Sequence, residues 1–105
     1  MTAAETILLT HARQIHDLCA RLGVRRLEVF GSAVTRDFDP VSSDFDFLYE
    51  FQDPQSRDLA DRFFELKDGL EALLGRAVDL VYAPGIENPY FLRKVNAQRR
   101  VLYAA

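Results

Sequence analysis

The sequence predicts an α/β fold of the α+β kind, a small mixed three-stranded sheet flanked by helices. Three observations lead there. Two long segments carry apolar residues at three- and four-residue steps, the period of a helix with one buried face. Three short segments rich in aliphatic and aromatic residues lie beside them, bounded by Gly, Pro or Asp. The two kinds alternate along the chain, which calls for helices layered on a sheet. The 105 residues, 49% hydrophobic and 28% charged, suit one domain over 1–105. They do not suit a disordered or collagen-like chain.

The first element is a helix. In ILLTHARQIHDLCARLG (7–23), Leu8, Ala12, Ile15, Leu18, Cys19 and Leu22 fall on one stripe, and Gly23 supplies the stop. RRLEVF (25–30) reads as a strand with Leu27 and Val29 on one side, ending in the turn Gly31-Ser32. Ala33 to Ser43 is a loop that opens with a helical turn. DFDFLYEF (44–51) alternates as a second strand until Asp53-Pro54 breaks it. Ser56 is the expected N-cap of a helix carrying Leu59, Phe63, Leu66, Leu70, Leu73 and Leu74 to its stop at Gly75. Gly69 inside that helix costs about 1 kcal/mol relative to Ala. RAVDLVY (76–82) is apolar on both faces and is expected at the centre of the sheet. Asn88-Pro89 caps and opens a helix that runs to about Gln98. The final RRVLYAA fits a helix or a strand docking on the sheet.

A net charge of −3 argues against direct nucleic-acid binding, which needs a basic footprint. The distribution is more informative. From Asp37 to Asp61 eight acids face only Arg57, whereas beyond Val81 Arg93, Lys94, Arg99 and Arg100 face only Glu87. That arrangement suits a cation site beside an anionic ligand or partner, although two solvated faces would look the same. The lone Cys19 leaves no internal disulfide and lies on the apolar stripe. No apolar run is long enough to span a bilayer, and the N-terminus lacks a signal-peptide pattern, so a cytoplasmic protein without membrane contact is expected. His11 and His16, five apart on a helix, do not share a face as a zinc pair would.

Three features carry chemistry. Asp44 and Asp46, two apart on a strand, project to one face while Phe45, Phe47, Tyr49 and Phe51 take the other. Adjacent carboxylates repel unless a cation or proton intervenes, and magnesium commonly takes one or two carboxylates plus phosphate oxygens. Asp79 interrupts the apolar Ala-Val-Asp-Leu-Val run, where it either bonds locally or shares that cation from a neighbouring strand. Three carboxylates from two strands could hold two metals. Gly31-Ser32 after a strand is either an ordinary turn or a phosphate nest of outward amides, with the Ser32 hydroxyl as a further donor.

Together, VFGS at 29–32, SDFD at 43–46 and Asp79 resemble the nucleotidyltransferase fold of the DNA polymerase beta superfamily. Within it the chain is most similar to the minimal nucleotidyltransferase (MNT) branch, whose members often pair with HEPN-domain proteins in prokaryotic toxin–antitoxin systems. The resemblance covers nearly the whole chain. It implies that Gly31 and Ser32 bind the β and γ phosphates, and that Asp44 and Asp46 are magnesium ligands. It makes Asp79 the third catalytic carboxylate, shared with the one or two metals. The implied reaction is attack of a hydroxyl on the α-phosphorus of a nucleoside triphosphate, with pyrophosphate leaving. Where many relatives carry an Arg three residues after the serine, this chain has Thr35, and Arg36 follows as the substitute phosphate contact.

The function these expectations add up to is a magnesium-dependent transfer of AMP from ATP to a hydroxyl of a HEPN-type toxin, tyrosine foremost. The protein would be the antitoxin of the pair. A module that neutralises a partner by contact, with the metal site vestigial, is the alternative. Nucleotidylation of a small molecule ranks lower, because no separate substrate pocket is evident.

Overall fold

A computed structural model describes residues 1–105. Its elements run α1 (Ala3–Thr10), α2 (Ala12–Arg21), β1 (Val24–Phe30), a 3-10 turn (Gly31–Val34), β2 (Phe45–Phe51), α3 (Leu59–Leu74), β3 (Val78–Tyr82), a 3-10 turn (Ala83–Gly85), α4 (Pro89–Gln98) and β4 (Arg100–Ala104). The sheet has four strands rather than three, in the order β3-β2-β1-β4. β1 pairs antiparallel with both β2 and β4, and β2 pairs parallel with β3, so the sheet is mixed.

The extra strand is the ambiguous tail. Arg99 leaves α4 in extended backbone, and residues from Arg100 pair with β1 from Val29 back to Arg26. Only that tertiary edge decides between helix and strand for RRVLYAA. β3, expected at the centre, is an outer strand. Its two-sided apolar character comes from the layers above and below it. Val78 joins the core under α3, while Val81 packs against Phe30, Leu48 and Val95 on the other face. Apolar contacts on both faces say nothing about which edges are paired.

The expected first helix is two. It starts earlier, at Ala3, with Thr2 accepting the Glu5 N–H, and breaks at His11. Around the break the Thr6 and Thr10 hydroxyls donate to carbonyls four residues back, and the His11 ring bonds the Ile7 carbonyl. Such back-bonding competes with the helical ladder and bends it. In α3, Asp58 rather than Ser56 occupies the N-cap position; the Ser56 hydroxyl is donated to the Asp58 carboxylate, and no side chain caps the helix. Gly69 has a packing reason to be there: a Cβ would lie 2.7 Å from a Leu18 methyl, so its absence lets α2 and α3 approach closely. Asn88 caps α4 as expected, accepting from the Tyr90 and Phe91 amides.

The main core lies between the sheet and α1–α3. It takes Leu27 and Val29 from β1, Phe45, Phe47 and Phe51 from β2, and Ile15, Leu18, Cys19, Leu66 and Leu70 from the helices. Burial pushes the Cys19 thiol up to about 12, which makes it an inert core residue. The opposite face has α4 as its one helix, over a small cluster of Phe30, Leu48 and Val95 that Ala83 and Ile86 also pack against. No helix is long and apolar enough to cross a membrane.

Candidate active site

Strand register builds the site. Phe30 of β1 stands opposite Asp46 of β2, and Asp46 stands opposite Asp79 of β3. Residues in register on paired strands share a face, so the two carboxylates are neighbours on the α4 side of the sheet. Asp79 is exposed, because β3 is an outer strand; the cost of burying a lone charge, foreseen for it, does not arise.

Gly31 follows at the end of β1 with φ +74°, in the left-handed region. A Cβ there would also collide with the Asp46 carboxylate. Glycine is therefore required both by conformation and by the acid beside it. Its N–H donates to Oε1 of Gln98 at 3.0 Å, which ties the turn to the last turn of α4. A cavity of about 510 Å³ opens here, lined among others by Gly31, Asp46, Asp79, Lys94 and Gln98. The other large cavity, about 550 Å³ between α1, α2 and β4, is mostly apolar and has no carboxylate pair.

The electrostatics follow from this crowding. Burial, then the charge of Asp79 and a shared hydrogen bond with it, then the charge of Asp44, push the Asp46 carboxyl up to about 6; Lys94 works in the opposite direction. Two carboxylates in this relation hold a proton or a cation between them. No three His, Cys, Asp or Glu side chains converge as a cage for a metal ion. The donor set is thus an oxygen pair, which suits a hard cation that completes its shell from substrate phosphates or water.

The sequence-derived residues divide. Gly31, Asp46 and Asp79 come together at the cavity. Asp44 lies one residue before β2, is exposed, and reaches Asp46 only through its charge. Ser32 is half-buried in the 3-10 turn, and Arg36 is exposed; neither lines the cavity. The Thr35 hydroxyl is spent within the turn, donating to the Ser32 carbonyl and accepting the Asp37 N–H, both at 3.2 Å.

The loop before Asp44 is clamped by Arg76. Its guanidinium donates to the carbonyls of Ser43 at 3.1 Å and Pro40 at 2.9 Å, and lies 5.5 Å from each of the Phe38 and Phe45 rings.

Three polar residues on this face were not singled out as site residues by the sequence. Lys94 and Gln98 belong to the α4 face Phe91–Lys94–Val95–Gln98, spaced i, i+3, i+4, i+7, so their helical phase was the available signal. Glu28, 2% exposed, is the third; Arg99 donates to it at 2.6 and 2.8 Å and Arg26 lies at 3.0 Å. The Arg99 hydrogen bonds hold its carboxyl below the usual glutamate range. The basic tail is therefore not one solvated face: Arg99 locks α4 to β1, Lys94 is exposed at the lining of the cavity, and Arg93 and Arg100 are exposed away from it.

Comparison with known proteins gives consistent results. Residues 12–103 match the nucleotidyltransferase domain family. The protein adenylyltransferase MntA of Thermococcus cleftensis is 39% identical over 84 residues, covering 80% of this chain and 78% of the relative. A solved structure assigned provisionally as a minimal nucleotidyltransferase superposes with a TM-score of 0.72 at 32% identity, covering 94% of this chain and 95% of the other. A solved complex of a tri-AMPylated Shewanella oneidensis HEPN toxin with an MNT antitoxin matches with a TM-score of 0.61 at 20% identity, covering 92% of this chain and 72% of the other. That last likeness is one of fold.

Proposed function

The chain belongs to the nucleotidyltransferase domain family, and from that premise we propose that it is a protein adenylyltransferase transferring AMP from ATP to a hydroxyl of a HEPN-type toxin, as the antitoxin of the pair. The single observation that carries the reading is the in-register pair Asp46–Asp79 against the glycine-only turn at Gly31. It places two carboxylates beside a tight turn on one cavity.

The roles follow from position. Asp46 would hold magnesium, with Asp44 adding charge from the loop and serving as the second carboxylate ligand that the family resemblance implies. Magnesium would neutralise phosphate charge and lower the cost of ionising the attacking hydroxyl. Asp79, exposed on the outer strand, meets the acceptor first; it orients the hydroxyl and takes its proton. The oxygen then bonds the α-phosphorus as the bond to the β-phosphate oxygen breaks, and pyrophosphate departs. The Gly31 turn offers the Ser32 amide and hydroxyl to the β and γ phosphates, and the Gly31 amide once it is released from Gln98, with Arg36 a more distant charge. An exposed acceptor side of this kind suits a macromolecular hydroxyl, tyrosine foremost, delivered by a partner. The carboxylates supply little covalent chemistry themselves, so positioning and charge neutralisation carry the rate.

Intact-mass spectrometry of a HEPN-domain protein, after incubation with this protein, ATP and magnesium, tests the proposal. A gain of whole AMP units that disappears with Asp46→Asn supports it. A stable complex without any gain, for every nucleotide, favours the contact-inhibitor reading, for which the self-bonded Thr35 is the supporting observation. Inhibition by contact should survive Asp44→Asn and Asp46→Asn; catalysis should not.

A further inference from the structure

A nucleoside triphosphate brings several negative charges into a cavity that already holds Asp46 and Asp79. Cations must meet it. Two line the cavity, Lys67 and Lys94. Lys67 is committed, with its Nζ 3.1 Å from Glu71. Lys94 has no carboxylate partner within 4.0 Å, yet its charge is felt at Asp46. Arg36, the nearest cation to the turn in sequence, does not line the cavity.

We infer that Lys94 is the residue that grips the phosphate tail of the nucleoside triphosphate, presented by the same face of α4 whose Gln98 fastens the Gly31 turn. This rests on the function proposed above and assigns the phosphate-binding charge within it. One helical turn separates Lys94 from Gln98, and Gln98 holds the Gly31 amide at 3.0 Å. Helix and turn are therefore coupled, and Lys94 and Gly31 border the same cavity. A lysine suits the task because its point charge on a flexible four-carbon stem can follow a phosphate chain as it becomes pyrophosphate. The cation for the tail thus comes from α4 and not from the loop after Ser32.

Titration calorimetry of the full chain with ATP and with AMP, each with magnesium, tests this. The proteins are the native chain, Lys94→Gln, Lys94→Arg, and Arg93→Gln as a charge control on the same helix. Lys94→Gln should weaken ATP roughly ten- to thirty-fold, the loss expected for one charge-assisted contact, while AMP changes by less than about twofold. Lys94→Arg should recover most of the ATP affinity, and Arg93→Gln should match the native chain. Unchanged ATP binding by Lys94→Gln overturns the inference, as do equal losses for ATP and AMP or an equal loss in Arg93→Gln. If the native chain itself binds no ATP, the adenylyltransferase reading fails and takes this inference with it. That outcome is read from the native protein alone, so the two failures are distinguishable.

Discussion

The two faces of the sheet are made by the same strands and do different work. On the α1–α3 side, alternate residues Leu27, Val29, Phe45, Phe47 and Val78 are buried among aliphatic helix residues. On the α4 side, the intervening residues are Glu28, Phe30, Asp46, Leu48 and Asp79, with only Phe30, Leu48 and Val95 forming an apolar cluster. One face is covered by three helices and the other by one of ten residues. The difference teaches that strand parity sorts packing from chemistry here. A thin cover leaves Asp46 and Asp79 within reach of solvent, and the buried Glu28 is met by Arg99 and Arg26, so carboxylates that would be intolerable on the first face persist on the second.

Substitutions on the two faces should separate activity from stability. The largest effect expected is on transfer. Asp46→Asn should lower adenylyl transfer by about a thousandfold, in keeping with the loss of a principal electrostatic group. The urea midpoint should hold or rise, since a like-charge neighbour of Asp79 is removed. A fall in stability comparable to the loss of activity would break the separation of faces.

Next is Phe47→Ala on the packed face, fully buried between strand and helices. It should destabilise by about 3–4 kcal/mol in equilibrium urea unfolding. The folded fraction should keep its ATP affinity within a few-fold.

Arg99→Ala tests the one place where the chemical face is also structural. It leaves the Glu28 carboxylate buried with only Arg26 beside it, and should cost about 2–3 kcal/mol. Fraying of β4, seen as faster amide exchange at Val101 to Tyr103, should accompany it.

The smallest effect is the pH dependence of that pair. A free glutamate titrates near about 4.3, and in the native protein the Glu28 value is lower. Its contribution is thus complete above the free value and drains away as pH falls through the native one. As pH falls below about 4.3, the urea midpoint of the native chain should decline relative to that of Glu28→Gln; Asp46, whose value is raised, acts the other way in both proteins and cancels from the difference. Parallel curves would remove Glu28 from the account of acid sensitivity.

Much of this was legible in sequence because local rules governed it. The β2 pattern places Phe45, Phe47 and Phe51 in the core and Asp46 on the other side, since side chains alternate on any strand. The Gly31 turn, the Asn88 cap and the stripe of α3 are likewise set by neighbours in the chain. The resemblance carried by VFGS, SDFD and Asp79 identified the family that the comparisons then showed.

What the tertiary structure decided was pairing. Whether RRVLYAA became helix or strand depended on a free edge of β1 lying within reach, more than 70 residues away in sequence and invisible to local propensity. The outer position of β3 depended on topology, because helices can bury both faces of a strand that has one open edge. The same topology put Asp79 in reach of Asp46 and left Asp44 at the rim, and the phase of α4 chose Lys94 and Gln98 over Arg93 for the cavity. Periodicity fixes which way a side chain points relative to its own backbone; only the packed arrangement of elements fixes what it meets.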